Sequence, residues 1–132
     1  MKKDEILKKL RLESGKLTLI VNAPEDFLNL LDPVTFDTTV QKRKEGKYEF
    51  VQVFGTLSAE LEKRVMQNTG VGKYDCIFWV CYPKRGGKIK SDIKRDTVWT
   101  IAEKAGLRCV TQIAIDETWS ALRIRPPEKV GK

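Results

Sequence analysis

Four short polar segments in this chain border apolar runs, and each carries groups able to hold a ligand. Asn22 follows Leu17–Val21, and Gly55-Thr56 follows Tyr48–Phe54. Lys84-Arg85-Gly86-Gly87-Lys88 follows Cys76–Tyr82 and leads to Ser91-Asp92, while Trp119-Ser120 opens the last apolar run. The chemistry on offer is anion binding. Glycines free backbone amides, Lys84, Arg85 and Lys88 supply positive charge, and a helix starting at Ser91-Asp92 adds its positive end. The Gly-Lys-Ser/Thr spacing of a P-loop is missing. Asp92 acts both ways, capping the helix but repelling an anion. The competing expectation for this loop is a solvated surface segment. Trp119 either stacks on a ligand beside Ser120 or packs under a covering helix. Arg123 and Arg125 share its strand face and form a basic stripe or, more in keeping with surface arginines, pair with acids.

What is absent narrows the chemistry. The chain has no histidine, which removes Ser-His-Asp and Cys-His arrangements and the usual base near neutral pH. The three cysteines are odd in number and lack Cys-x-x-Cys spacing, so neither a disulfide framework nor a metal site is expected. Cys76 and Cys81 stand five apart on one strand and face opposite ways. Ser120 and Lys84 offer a nucleophile and a base, but nothing in their spacing requires that pairing. The residues therefore favour binding over catalysis, with no catalytic residue and no cofactor.

The elements that position these groups follow from periodicity. Ile6, Leu7 and Leu10 give a short amphipathic helix over Lys3 to Leu12, stopped by Ser14-Gly15. Leu17–Val21 reads as a buried strand. Pro24 suits the first position of a helix over Glu25 to Leu31. A weak polar strand is expected at Phe36–Gln41, and a stronger one at Tyr48–Phe54. Only Lys42 to Lys47 separate these two, too few for a parallel crossover. The weak strand thus pairs antiparallel with its successor or returns by a stretched loop. Leu57, Leu61 and Val65 mark a helix to Gln67. Asp75–Tyr82, apolar on both faces, reads as the central strand. A helix from Ser91-Asp92 to Ala105 should bury Ile93, Thr97, Ile101 and Ala105, with Trp99 packed against it and Gly106 just past its end. Leu107–Ile115 and Thr118–Arg125 flank Asp116-Glu117, which allows only an antiparallel hairpin.

With 132 residues, there is room for one α/β domain over 1–125, followed by a polar tail over 126–132 expected to be mobile. The N-terminus lacks a signal-peptide pattern and no apolar run is long enough to span a bilayer, so the cytoplasm is the expected location and no membrane partner is expected. The net charge of +7 favours anionic partners, yet the cations are dispersed along the chain, more a solvated surface than a nucleic-acid footprint.

From Tyr48 onward the order resembles the second half of a class I S-adenosylmethionine-dependent methyltransferase. Tyr48–Phe54 stands for that fold's fourth strand, Gly70-Val-Gly-Lys-Tyr-Asp-Cys-Ile-Phe-Trp-Val80 for its glycine turn and fifth, and Gly106-Leu107 with the hairpin for its closing strands. The resemblance implies a three-layer, Rossmann-like α/β fold with a mainly parallel sheet of about six strands ending in an antiparallel hairpin. Such enzymes carry a glycine-rich loop after strand one and an acid after strand two. Here Asn22-Ala-Pro-Glu25 and Thr39-Val-Gln-Lys42 stand in those places, so the cofactor motif is missing. The chain also resembles a small uncharacterised bacterial family of unknown function, through Tyr82-Pro-Lys84, Ser91-Asp92, Ala105-Gly-Leu107 and Thr118-Trp-Ser-Ala-Leu-Arg123. The first functional expectation is a non-catalytic domain binding an anionic small molecule or a protein partner. The alternatives are a degenerate methyltransferase-like transferase with a nucleotide-like cofactor, and a nucleic-acid accessory protein.

Overall fold

A computed structural model describes residues 3–31, 34–84 and 88–130. Five strands form one sheet: β1 (Thr18–Val21), β2 (Tyr48–Phe54), β3 (Gly72–Pro83), β4 (Arg108–Ala114) and β5 (Trp119–Arg125). Their spatial order is β1-β2-β3-β5-β4. The first three run parallel, and β5 runs antiparallel to both β3 and β4. The helices are α1 (Lys3–Leu10), α2 (Glu25–Leu30), α3 (Ser58–Asn68) and α4 (Arg95–Lys104). Thus α/β layering, parallel strands and the terminal hairpin are as expected, but the sheet has five strands.

The strand expected at Phe36–Gln41 is replaced by one parallel bridge between Leu19 and Asp37. Asp37 exchanges two backbone hydrogen bonds with β1, to Ile20 at 2.9 Å and Thr18 at 2.8 Å, and the chain then leaves. A 3-10 turn follows at Lys42–Lys44. Phe36 and Val40, four apart, pack against opposite cores instead of forming one apolar strand face, so they hold no strand register. The Asp37 carboxylate instead accepts from the Tyr48 hydroxyl at 2.7 Å and from Lys44 at 2.9 Å. This resolves the short-crossover conflict, because no strand needs to be crossed.

Two cores sandwich the sheet. Val51, Val53, Phe78, Val80 and Leu122 meet Leu61 and Val65 of α3 and Val98, Ile101 and Ala102 of α4. On the other face Phe50, Phe54, Trp79 and Cys81 meet Ile6 and Leu10 of α1 and Phe27 of α2. Trp79 is buried, and its indole N–H donates to the Leu10 carbonyl at 2.9 Å. Cys76 and Cys81 pack on opposite faces, as their spacing requires.

Both α1 and α4 end in Schellman turns. In α4, Gly106 takes φ +79°, and the Leu107 N–H reaches the Ala102 carbonyl at 2.8 Å. In α1 the same position holds Arg11 at φ +60°, with the Leu12 N–H on the Leu7 carbonyl at 2.9 Å. Helix α1 therefore stops at an arginine, before Ser14-Gly15. Helix α4 starts at Arg95, later than Ser91-Asp92, so its buried positions are Val98, Ile101 and Ala102 and not Thr97. Trp99, on the outer side of this helix, is 42% exposed instead of packed. The tail turns back as a 3-10 helix at Pro127–Lys129. Glu128 accepts from the Tyr74 hydroxyl at 2.6 Å, and Lys129 lies 5.9 Å from that ring. Among the described residues no helix is long and apolar enough to cross a membrane.

Residues 73–76 of β3 bulge against β2, with Asp75 at φ +56°. The Asp75 carboxylate takes Arg125 Nε at 2.9 Å and Nη2 at 2.7 Å. Arg125 holds Asp75 below its ordinary 3.8, as the Tyr48 hydroxyl and then Lys44 do for Asp37. A depressed carboxylate stabilises the fold above its unfolded pKa and loses that share as pH falls through the folded value. Burial pushes the thiols the other way, Cys76 and Cys109 to about 11 and Cys81 to about 12. Their share is present below the unfolded thiol pKa and is lost as pH rises. Urea melts should show a plateau between roughly pH 5 and 8 with a fall on either side. Asp75→Asn, which tolerates the left-handed backbone, should lower the plateau and make the acid fall shallower. An unchanged acid limb would remove Asp75 from this role.

Candidate functional site

The carboxyl edge of the parallel strands is divided in two. On the β1–β2 side, Asn22 sits at φ +61° and donates from Nδ2 to the Phe54 carbonyl at 3.4 Å. Arg64 of α3 donates to the same carbonyl at 3.3 Å. Gly55 is buried, with its N–H on the Cys81 carbonyl at 3.1 Å. Thr56 gives its N–H to Glu60 at 3.3 Å, and Glu60 pairs with Arg64. Asn22, Gly55 and Thr56 are thus brought together, but by the contacts that close this end. Aromatic rings complete the closure. Phe27 lies 5.3 Å from Phe54, and Trp119 meets Phe54 edge-on at 5.1 Å. Trp119 is only 7% exposed, so its ring is a packing element, the second of its two sequence readings.

The other half is open and cationic. A pocket of about 350 Å³ lies between the end of β3, the start of β5 and the first turn of α4. Lys84, Lys94 and Arg95 line it, against one carboxylate, Asp96. Tyr82 and Gln112 form its inner wall, with Gln112 Nε2 donating to the Tyr82 hydroxyl at 3.4 Å. Burial pushes the Tyr82 phenol up while the Arg95 guanidinium pulls it down. Ser120 also lines the pocket, is 7% exposed, and its hydroxyl has no partner among the described residues. Ser120 stands opposite Tyr82 in the antiparallel register. The Lys84 N–H, bonded to the Thr118 carbonyl at 2.8 Å, ties the loop's first residue to this wall. The volume falls within the roughly 300–1,000 Å³ of small-molecule sites.

Of the residues singled out from the sequence as ligand-holding, Lys84 and Ser120 line this pocket among the described residues. Arg85, Gly86 and Gly87 lie outside the described residues. Lys88 is exposed, and Ser91 accepts the Ile93 N–H at 3.0 Å, a local turn. Asp92 neither caps α4 nor faces the pocket. It takes the Ser58 N–H at 2.7 Å and hydroxyl at 2.6 Å, capping α3 from outside, and the hydroxyl holds its pKa low. The acid expected to repel an anion is therefore engaged elsewhere. Thr97 accepts the Lys94 N–H at 3.1 Å at the true start of α4. Sequence reasoning missed Lys94, Arg95 and Asp96 because the helix start was set four residues early; Thr97, a hydroxyl three residues after Lys94, is the signal that would have corrected it.

A larger hollow, about 490 Å³, opens at the opposite edge over Phe78, Leu107 and Ile124. Most of its polar groups are engaged. Asp75 is held by Arg125, Tyr74 by Glu128, and the Thr69 hydroxyl by the Val65 carbonyl at 2.8 Å. The cationic pocket is the better chemical candidate despite its smaller size.

No protein-family model and no curated protein matches this chain. Solved structures do. A SAM-dependent methyltransferase from Aquifex aeolicus aligns with TM-score 0.63 at 12% identity, over 92% of this chain and 88% of that one. The [4+2]-cyclase SpnF aligns with TM-score 0.65 at 10% identity, over 98% and 80%. Magnesium protoporphyrin IX methyltransferase from Synechocystis, with bound SAH, aligns with TM-score 0.58 at 10% identity, over 93% and 82%. The chain has a methyltransferase-like fold. A cyclase stands among methyltransferases at equal likeness, so the fold carries no particular reaction.

The closure of the β1–β2 side is directly testable. A Cβ on Gly55 would lie 2.9 Å from Leu61 Cβ and 3.1 Å from its Cα. Gly55→Ala should destabilise the protein by about 1–3 kcal/mol in denaturant melts. A neutral effect would mean that α3 does not press on this strand end.

Proposed function

We propose that this chain is a methyltransferase-like domain whose ligand, a phosphate- or carboxylate-bearing small molecule, sits over the ends of β3 and β5. The observation that carries this reading is the partnerless, nearly buried Ser120 hydroxyl in a pocket with three cations. Backbone amides at the start of α4 add partial positive charge. Asp96 offsets part of it, which suits a ligand carrying a donor as well as an anion. The signature that resembles the small bacterial family supports the same placement, because Tyr82, Lys84 and Ser120 belong to it and line this pocket.

Two functions fit such a site. A transferase with a nucleotide-like cofactor is the reading that the methyltransferases among the structural neighbours support. The cofactor would enter differently from the glycine-loop pattern, since the β1–β2 side holds Phe27, Phe54 and Trp119. A non-catalytic anion-binding domain is supported by the Ser120 hydroxyl having no hydrogen-bonded base among the described residues.

Thermal melts with S-adenosylmethionine, S-adenosylhomocysteine, ADP and inorganic phosphate separate these. Stabilisation specific to the adenosyl compounds supports the transferase, and stabilisation by ADP and phosphate alone supports the binding domain. In either case Arg95→Ala should weaken the effective ligand about 10- to 100-fold, the worth of one charge-assisted hydrogen bond. Undiminished stabilisation in Arg95→Ala would remove the ligand from this pocket.

A further inference from the structure

Arg123 lies near the middle of β5, opposite Trp79, on the face that α1 covers. It is 8% exposed, and its Nε is buried with no acceptor among the described residues. A guanidinium is costly to bury without a counter-charge. None is supplied. Trp79 donates to the Leu10 carbonyl, so the end of α1 lies over this strand pair and brings Arg11 beside Arg123. Arg125 follows on the same face. The nearby carboxylate is Asp75, and both of its oxygens are taken by Arg125. Around Arg11, Lys16 and Lys73 face Glu13, Glu49 and Asp75 across a small hollow. Glu49 is engaged by the Leu17 N–H and by Lys16. Lys129 adds a further cation near Asp75. Arg11 and Arg123 make no ion pair among the described residues, and cations outnumber acids around them even with Glu13 counted. Burial, then Arg125, then Arg11 depress the Arg123 pKa, with Asp75 opposing.

The backbone at Arg11 points the same way. It occupies the left-handed position that α4 gives to Gly106. Glycine is favoured there, so an arginine is held at a conformational cost.

We propose that Arg11 and Arg123, flanked by the Arg125–Asp75 pair, form a second anion site for a phosphate group at the amino edge of the sheet. It is separate from the carboxyl-edge pocket and does not depend on it. The phosphate belongs to a free small anion or to a nucleic-acid backbone; the chemistry of recognition is the same. The guanidinium N–H groups of Arg123 donate from below and Arg11 closes from the rim.

The Arg123 Nε–H and the Trp79 indole N–H are buried reporters visible in ¹⁵N spectra of the full chain. Titration with inorganic phosphate, against chloride at matched ionic strength, should move both to saturation. Arg11→Gly should fold at least as stably as the parent and bind phosphate about tenfold more weakly. Arg123→Met should lose the response, and Arg95→Ala should keep it. A mixed-sequence oligonucleotide that binds more tightly than phosphate, with a steep salt slope and the same dependence on Arg11, identifies the backbone source; phosphate binding without that gain identifies the free anion. No phosphate-specific shift, or an equal shift in Arg11→Gly, overturns the site.

Discussion

The pairing of β3 with a parallel neighbour on one side and an antiparallel one on the other is the constraint on which the rest depends. Phe78, Val80 and Tyr82 point to α3 and α4, while Trp79 and Cys81 point to α1 and α2. Each large side chain buried there contributes roughly 1.5–3 kcal/mol, and β2 beside it likewise feeds both cores, with Tyr48, Val51 and Val53 on one face and Phe50 and Phe54 on the other. The Trp79–Leu10 hydrogen bond fixes where α1 ends. The β3–β5 register sets Ser120 against Tyr82 and Arg123 against Trp79. One strand pair thus places the polar wall of the carboxyl-edge pocket and the unpaired arginine of the other edge.

That register also explains why a methyltransferase-like fold here gives a differently placed site. The parallel half of the sheet ends in β1, with only Asp37 bridging its outer side. No further described strand widens the crevice beyond β1, and Phe27, Phe54 and Trp119 close what remains. The open space lies on the antiparallel side, where the hairpin reverses and α4 begins. Cations gather there without a full complement of acids, because Asp92 is bound to Ser58.

Much of this was legible in the residues. The apolar run at Tyr48–Phe54 and the two-residue Asp116-Glu117 connection have one reading each, and Gly106 marks a helix end that only its left-handed backbone requires. The failures share a cause. Asp92 looked like a local helix cap, but its partner, Ser58, is 34 positions away. Phe36–Gln41 had strand-like length, but its two apolar residues, Phe36 and Val40, go to opposite cores. Trp119 could not be decided until Phe54 was seen beside it. Arg125 finds its acid in a β-bulge at Asp75, whereas Arg123 finds none; spacing along β5 cannot distinguish them.

The displacement of the site toward β3 and β5 is tested most directly by mapping backbone amide shifts of the full chain on addition of ADP. Among carboxyl-edge residues, the changes should centre on Tyr82, Lys84, Lys94–Thr97 and Ser120. Changes centred instead on Asn22–Glu25 and Gly55–Thr56 would mean that the ligand enters over β1 and β2, and would contradict the placement.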